Sequence, residues 1–181
     1  MPSVRCGFDD VPGGASGSDL LSLYGPTLLV DIGFDPNFRA GVLVAPVAGI
    51  QGIHALVDTG ASESCIDSLL ATQLNLPIVD RRIISGVHGG QAVNMHLAQV
   101  HVPALTFTLY GAFAGVHLQA GGQMHKALIG RTFLRNCKMV YEGITGNRIP
   151  GHSTAATTTV AVAAGVLKAI FKARPTARHS K

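Results

Sequence analysis

The chain has 181 residues, of which 47% are apolar and only 13% charged, with 22 glycines and no tryptophan. That composition supports one compact domain with a real core, and it excludes a coiled coil, a collagen-like repeat and a charged disordered chain. The net charge of +4 is unevenly placed: residues 1–142 hold all 10 acids and 8 of the 14 basic residues, a net of −2, while residues 143–181 hold 6 basic residues and no acid. A nucleic-acid-binding core would carry the positive charge itself, so no nucleic acid is expected on the body. Cys6, Cys65 and Cys137 are odd in number and lack C-x-x-C spacing. This argues against a disulfide framework or zinc site and for a reducing, cytoplasmic setting.

In chain order, Met1–Ser18 is rich in Gly, Pro, Ser and Asp, and Arg5, Asp9 and Asp10 interrupt any apolar leader. It reads as a loose arm, which we extend to residues 1–24. Thr27–Ile32, Val42–Val47 and Ile53–Val57 are short strand-like runs bounded by Gly, Pro and Asp. Asp67 is placed to N-cap a short helix over Ser68–Gln73 that Pro77 closes. Ile78–Ile84 and Gln91–Val102 flank Ser85-Gly86-Val87-His88-Gly89-Gly90, a long hairpin with a glycine-rich tip. The alternation at Val93, Met95 and Leu97 slips near Gln99–Val100, which predicts a bulge. Thr106–Leu118 reads as one or two strands broken at Gly111 and Gly115, Ala127–Ile129 as a short strand, and Arg131–Asn136 as one helical turn. Met139–Tyr141 and Arg148–Ile149 flank a Gly-Ile-Thr-Gly turn. About eight short strands and one or two short helices make an all-β barrel or folded sheet the expected fold class.

Chemistry concentrates at Ala55-Leu56-Val57-Asp58-Thr59-Gly60-Ala61-Ser62. An acid that follows an apolar strand and opens a Thr-Gly turn can be held by the N–H groups of that turn. Gly60 lets a substrate backbone approach. Taken alone, the tripeptide reads more readily as an Asx-turn that merely ends a strand, since three residues are weak evidence of chemistry.

Three segments in order carry a resemblance. They are Leu56-Val57-Asp58-Thr59-Gly60-Ala61, then Ile84-Ser85-Gly86-Val87-His88-Gly89-Gly90, then Leu128-Ile129-Gly130-Arg131 followed by a short helix at Thr132–Asn136. With Met139-Val140-Tyr141 and Thr145-Gly146, the chain resembles the retropepsin-like, retroviral-type aspartic proteases from about Gly25 to Ile149. The resemblance implies a single domain over residues 25–150, a closed or folded β-barrel with a flap hairpin. It also implies an aspartic endopeptidase acting on peptide or protein substrates without a cofactor, with Asp58 as the catalytic residue. Thr59, Gly60 and Ala61 would form the active-site loop and dimer contact, and Gly86, Val87, His88, Gly89 and Gly90 the flap. Leu128, Ile129, Gly130 and Arg131 would support the loop. Such an enzyme needs two carboxylates. Asp31-Ile32-Gly33 is the other Asp-x-Gly and lacks the Thr, so a homodimer must supply the second Asp58. Here Ser62 and Glu63 follow Ala61, so Arg131 has either Glu63 or backbone carbonyls as partner. A catalytically weak peptide-binding or membrane- or partner-associated dimerisation module is the alternative reading.

The eight histidines show no metal-ligand spacing, so no metal is expected. His88 is the one placed to tune a flap with pH. Cys65 reads as a small buried residue. Residues 151–181 form an Ala/Thr-rich basic tail with no acid to contribute, expected to be dispensable for chemistry. It reads as loose chain, as an amphipathic helix on a partner or on its own dimer, or as a membrane contact through its basic residues.

Overall fold

The computed structural model describes residues 3–37, 49–86, 89–135, 137–142 and 157–162. Among them are ten strands and three α-helices: β1 (Ser3–Arg5), α1 (Gly17–Tyr24), β2 (Thr27–Gly33), β3 (Ile50–Val57), β4 (Cys65–Asp67), α2 (Ser68–Gln73), β5 (Ile78–Gly86), β6 (Gly89–Val102), β7 (Phe107–Val116), β8 (Ala127–Ile129), α3 (Arg131–Leu134), β9 (Cys137–Glu142) and β10 (Thr157–Val162). The all-β expectation holds. The expected strand Val42–Val47, the flap-tip residues Val87 and His88, Asn136, and the Thr145-Gly146 turn lie outside the described residues.

The main sheet runs β2-β3-β8-β4-β7-β6-β5, and β2 also pairs with β6, so the strands form a ring. The β2–β3 ladder shifts register between Val30 and Ile32, and there β2 also meets β6 at Asp31↔His101, so Ile32 lies between Ile50 of β3 and Val100 of β6. Inside lie Leu28, Val30, Ile32, Ala55, Val57, Val100, Phe113, Ile129 and Phe133. Phe107 packs edge-on against Phe133 at 5.1 Å between ring centres. A smaller cluster of Cys65, Val93, Met95 and Ala114 packs against Ile84 and Leu128.

Several expectations are corrected. The segment read as a loose arm contains β1 and α1. Ser16 caps that helix by accepting from Asp19 N–H, and Asp10 accepts from Gly17 N–H at 2.7 Å. The segment read as the start of the tail contributes β10, which pairs antiparallel with both β1 and β9. Thr157-Thr158-Thr159-Val160 is a β-branched run, and that stiffness favours a strand over the helix considered for it. β7 is unbroken through Gly111 and Gly115. No bulge occurs in the β6–β7 ladder from Met95 to Val102. The slip in alternation arises because β6 becomes covered on both faces, where Gln99 is fully buried and accepts from Asp35 N–H. The register shift of the hairpin falls instead on β5, between Ile78 and Asp80.

Candidate active site

β8 is the strand around which the site is built. It pairs parallel with β3, with Val57 opposite Ile129, and antiparallel with β4, with Cys65 opposite Leu128. The chain from Asp58 to Ser64 therefore has to pass around the end of β8, and Gly130 sits beneath it. A β-carbon at Gly130 would lie 2.4 Å from Glu63 O and 3.0 Å from Ala61 O, so only glycine permits the crossing.

Asp58 directly follows β3. Its own N–H donates to Ile129 O at 3.0 Å, which fixes the backbone to β8. Its side chain is half-buried. Oδ1 accepts from Gly60 N–H at 2.7 Å, the bond of an Asx turn, and Oδ2 has no partner among the described residues. The carboxylate is thus held on one side and open on the other. Thr59 is exposed, and its hydroxyl has no partner among the described residues.

Arg131 chooses between the two partners left open by its sequence. Its Nη1 donates to Thr59 O at 2.9 Å and Gly60 O at 3.0 Å, and Nη2 donates to Ser62 Oγ at 2.6 Å. Its backbone N–H donates to Ala61 O at 3.0 Å. Gly60 thereby uses its N–H on Asp58, and its carbonyl keeps one lone pair for another donor. A pair that the sequence did not disclose lies below: buried Ser64 accepts from Gly130 N–H at 3.0 Å, and its own N–H donates to Thr132 Oγ1 at 3.1 Å. Their hydroxyl oxygens are 3.0 Å apart. Hydroxyl residues near a turn carry no sequence signature for that role.

Leu128 and Ile129 face the two core clusters on either side of β8. Gly86 and Gly89 are opposite one another at the end of the β5–β6 ladder, and Gly89 has φ +98°. Gly90 pairs with Ser85. Cys65 is buried, and desolvation, then the charges of Glu63 and Asp58, push its thiol up to about 11. It is therefore a protonated core group and no nucleophile at neutral pH. Asp67 is buried and caps α2, accepting from Leu69 and Leu70 N–H, while its Oδ2 accepts from Gln119 N–H at 3.2 Å. Among the described residues no three His, Cys, Asp or Glu side chains converge as a metal site would require, and no helix is long and apolar enough to cross a membrane.

The site thus consists of an acid on a strand end, a glycine-dependent crossing and a loop wrapped around an inserted strand. Residues 46–136, half of the chain, match the family described as gag-polyprotein putative aspartyl protease, and the chain belongs to that family. No curated protein matches the chain. Among solved structures, the simian foamy virus (mac) protease is similar at 11% identity and a TM-score of 0.39, covering 60% of this chain and 91% of its own. The EIAV protease complexed with the inhibitor HBY-793 is similar at 17% identity and a TM-score of 0.38, covering 61% of this chain and 85% of its own.

Proposed function

We propose that the chain is an aspartic endopeptidase whose catalytic pair is assembled from two copies. The observation that carries this reading is the seat of Asp58, with Oδ1 fixed by Gly60 and Oδ2 without a partner among the described residues, in a sequence that holds one Asp-Thr-Gly. A two-fold axis beside the loop would bring Asp58 and its copy together. Two carboxylates so close cannot both ionise, so they share one proton. The ionised oxygen takes a proton from the attacking water, and the protonated one hydrogen-bonds the scissile carbonyl as its oxygen gains charge. The free Thr59 hydroxyl would bond across the axis and hold the two loops in register. Ala61 lies in the same loop. The β5–β6 hairpin, with Gly86, Val87, His88, Gly89 and Gly90 at its end, would close over the peptide and exclude water.

The test is cleavage of a mixed peptide library across pH by the wild type and by Asp58→Asn. Asn is nearly isosteric, and its Oδ1 can still accept from Gly60 N–H, so the turn should persist. It cannot act as the base or share the proton, and activity should fall by at least about 10²–10⁴-fold. Equal cleavage by a variant with unchanged circular dichroism would remove Asp58 from the mechanism. A wild type that binds peptides across the pH range but cuts none would favour the peptide-binding module instead.

A further inference from the structure

The flap hairpin has a second face. Val93 and Met95 point from β6 into the smaller core cluster. Asn94 and His96 alternate with them, and Arg81 of β5 stands opposite Asn94 in the ladder. Here the hairpin, α2 and the end of β7 enclose an open cleft of about 360 Å³. None of the residues lining it comes from the Asp58–Ser64 loop or from Leu128–Arg131.

The lining has one sign of charge. Arg81 is its formal cation, and no acid lines it. The two nearest acids in sequence are engaged elsewhere. Asp80 accepts from Arg82 Nε at 2.9 Å and from Arg81 N–H at 2.8 Å, and buried Asp67 is committed to three backbone N–H groups. The Arg81 guanidinium is left with no acid partner among the described residues. Polar groups face it across the cleft: Ser68, bonded to His117 Nδ1 at 2.8 Å, and Thr72 on α2. His96 gives Nδ1–H to Leu76 O, which turns Nε2 toward Gly115; a side chain at Gly115 would begin 2.8 Å from that nitrogen. The rim is aliphatic, with Leu69 and Ile78 exposed by 69% and 60%.

We infer that this cleft is an exosite for a peptide segment that places a carboxylate beside an aliphatic side chain. Arg81 supplies the planar fork that pairs with a carboxylate, and Leu69 and Ile78 cover the neighbouring apolar group. The cationic end of this chain has the wrong charge to fill the cleft, since residues 143–181 contain no acid. A bound segment would contact β5 and β6, the strands that carry the flap glycines. The inference goes beyond the peptidase reading and does not require it, because occupancy is measured without cleavage.

The experiment uses full-length Asp58→Asn protein and a fluorescein-labelled peptide of alternating leucine and glutamate, followed by fluorescence anisotropy. Saturable binding is expected, weakened about tenfold by Arg81→Ala, the effect of losing one charged hydrogen-bonded pair. Leu69→Ser, on α2 and outside the hairpin, should weaken it as well. The same peptide with glutamine for glutamate should bind about tenfold less tightly. Arg81 and Leu69 are exposed, so both variants should fold, as circular dichroism will report. No saturable binding, unchanged affinity in Arg81→Ala, or equal affinity for the glutamine peptide would each overturn the proposal.

Discussion

A methyl group on Gly130 would have to occupy space 2.4 Å from Glu63 O and 2.7 Å from Glu63 C, both backbone atoms that cannot swing aside. Gly130→Ala should therefore push the Asp58–Ser64 loop off β8. Overpacking of this kind costs about 1–3 kcal/mol. At roughly 2–4 °C per kcal/mol, the midpoint of thermal unfolding should drop by several degrees. An unchanged midpoint would mean the loop is not locked against β8. His125 couples stability to pH. Thr27 Oγ1 donates to Gly25 O, so it must accept from His125 Nε2–H, which leaves the buried Nδ1 as a lone pair without a partner among the described residues. Charging the ring would place an N–H in that buried site. Burial first, then the charge of His54, hold its pKa below the ordinary 6.5. The unfolded chain then binds the proton more readily, so this contribution to stability is present above pH 6.5 and is lost as pH falls through the folded value. His125→Gln keeps an Nε2 donor for Thr27 and cannot titrate. Its melting temperature should depend less on pH in the mildly acidic range, and a parallel profile would refute the assignment. The strand-ending turn at Asp58-Thr59-Gly60 was readable because an acid two residues before a glycine favours an Asx turn. The partner of Arg131 was not, because backbone carbonyls of Thr59 and Gly60 leave no mark on side-chain identity.

Among the elements, strands with clear apolar runs and glycine punctuation were legible: β2, β3, β5, β6 and β8 fall where β-branched content and turns place them. β4 was not, since Cys65-Ile66-Asp67 is neither an uninterrupted apolar run nor bounded by glycine. β1 and β10 were missed for a different reason. Among the described residues, β1 has three residues and pairs only with β10, more than 150 residues away in sequence, and β10 lies in an Ala/Thr-rich stretch whose composition hides its pairing with β1 and β9. Their pairing changes the expectation for truncation. A chain ending at Pro150 deletes β10, the central strand of the β1-β10-β9 sheet, and strips β1 and β9 of their ladders. It should be less stable toward urea than the full chain, with amide exchange in β9 no longer protected. Val160→Pro makes the same point without deletion. Val160 lies opposite both Val4 and Met139, and proline removes an N–H that a central strand must give to one neighbour. Full stability in both variants would show that the sheet is not part of the folded unit. We therefore propose that this unit extends past residue 150 and begins before residue 25.

For the whole molecule, the proposed two-carboxylate mechanism would make the oligomeric state part of the chemistry, because the chain holds one Asp-Thr-Gly. The sequence poses that requirement, since one such motif cannot supply both carboxylates. It does not disclose which surface would join two copies, because such a surface depends on residues brought together only by folding. If one protomer supplies half a site, activity per mole must track the dimer population. For a dissociation constant in the ~μM range, near −8 kcal/mol, dilution well below that concentration should lower specific activity steeply. A ~nM dimer would remain assembled in ordinary assays, so the series must extend further. Subunit mixing removes the dependence on that constant. Asp58→Asn keeps the turn and, by this account, the dimer surface, so in excess it should exchange into wild-type dimers. Each mixed dimer then carries a single carboxylate, which cannot share a proton or divide the roles of acid and base. Activity should fall with the fraction of wild-type pairs rather than with the fraction of wild-type chains. A linear fall with mixing ratio, after exchange has been verified with differently tagged chains, would mean that each protomer works alone. So would full activity in a species that sediments at the mass of one chain.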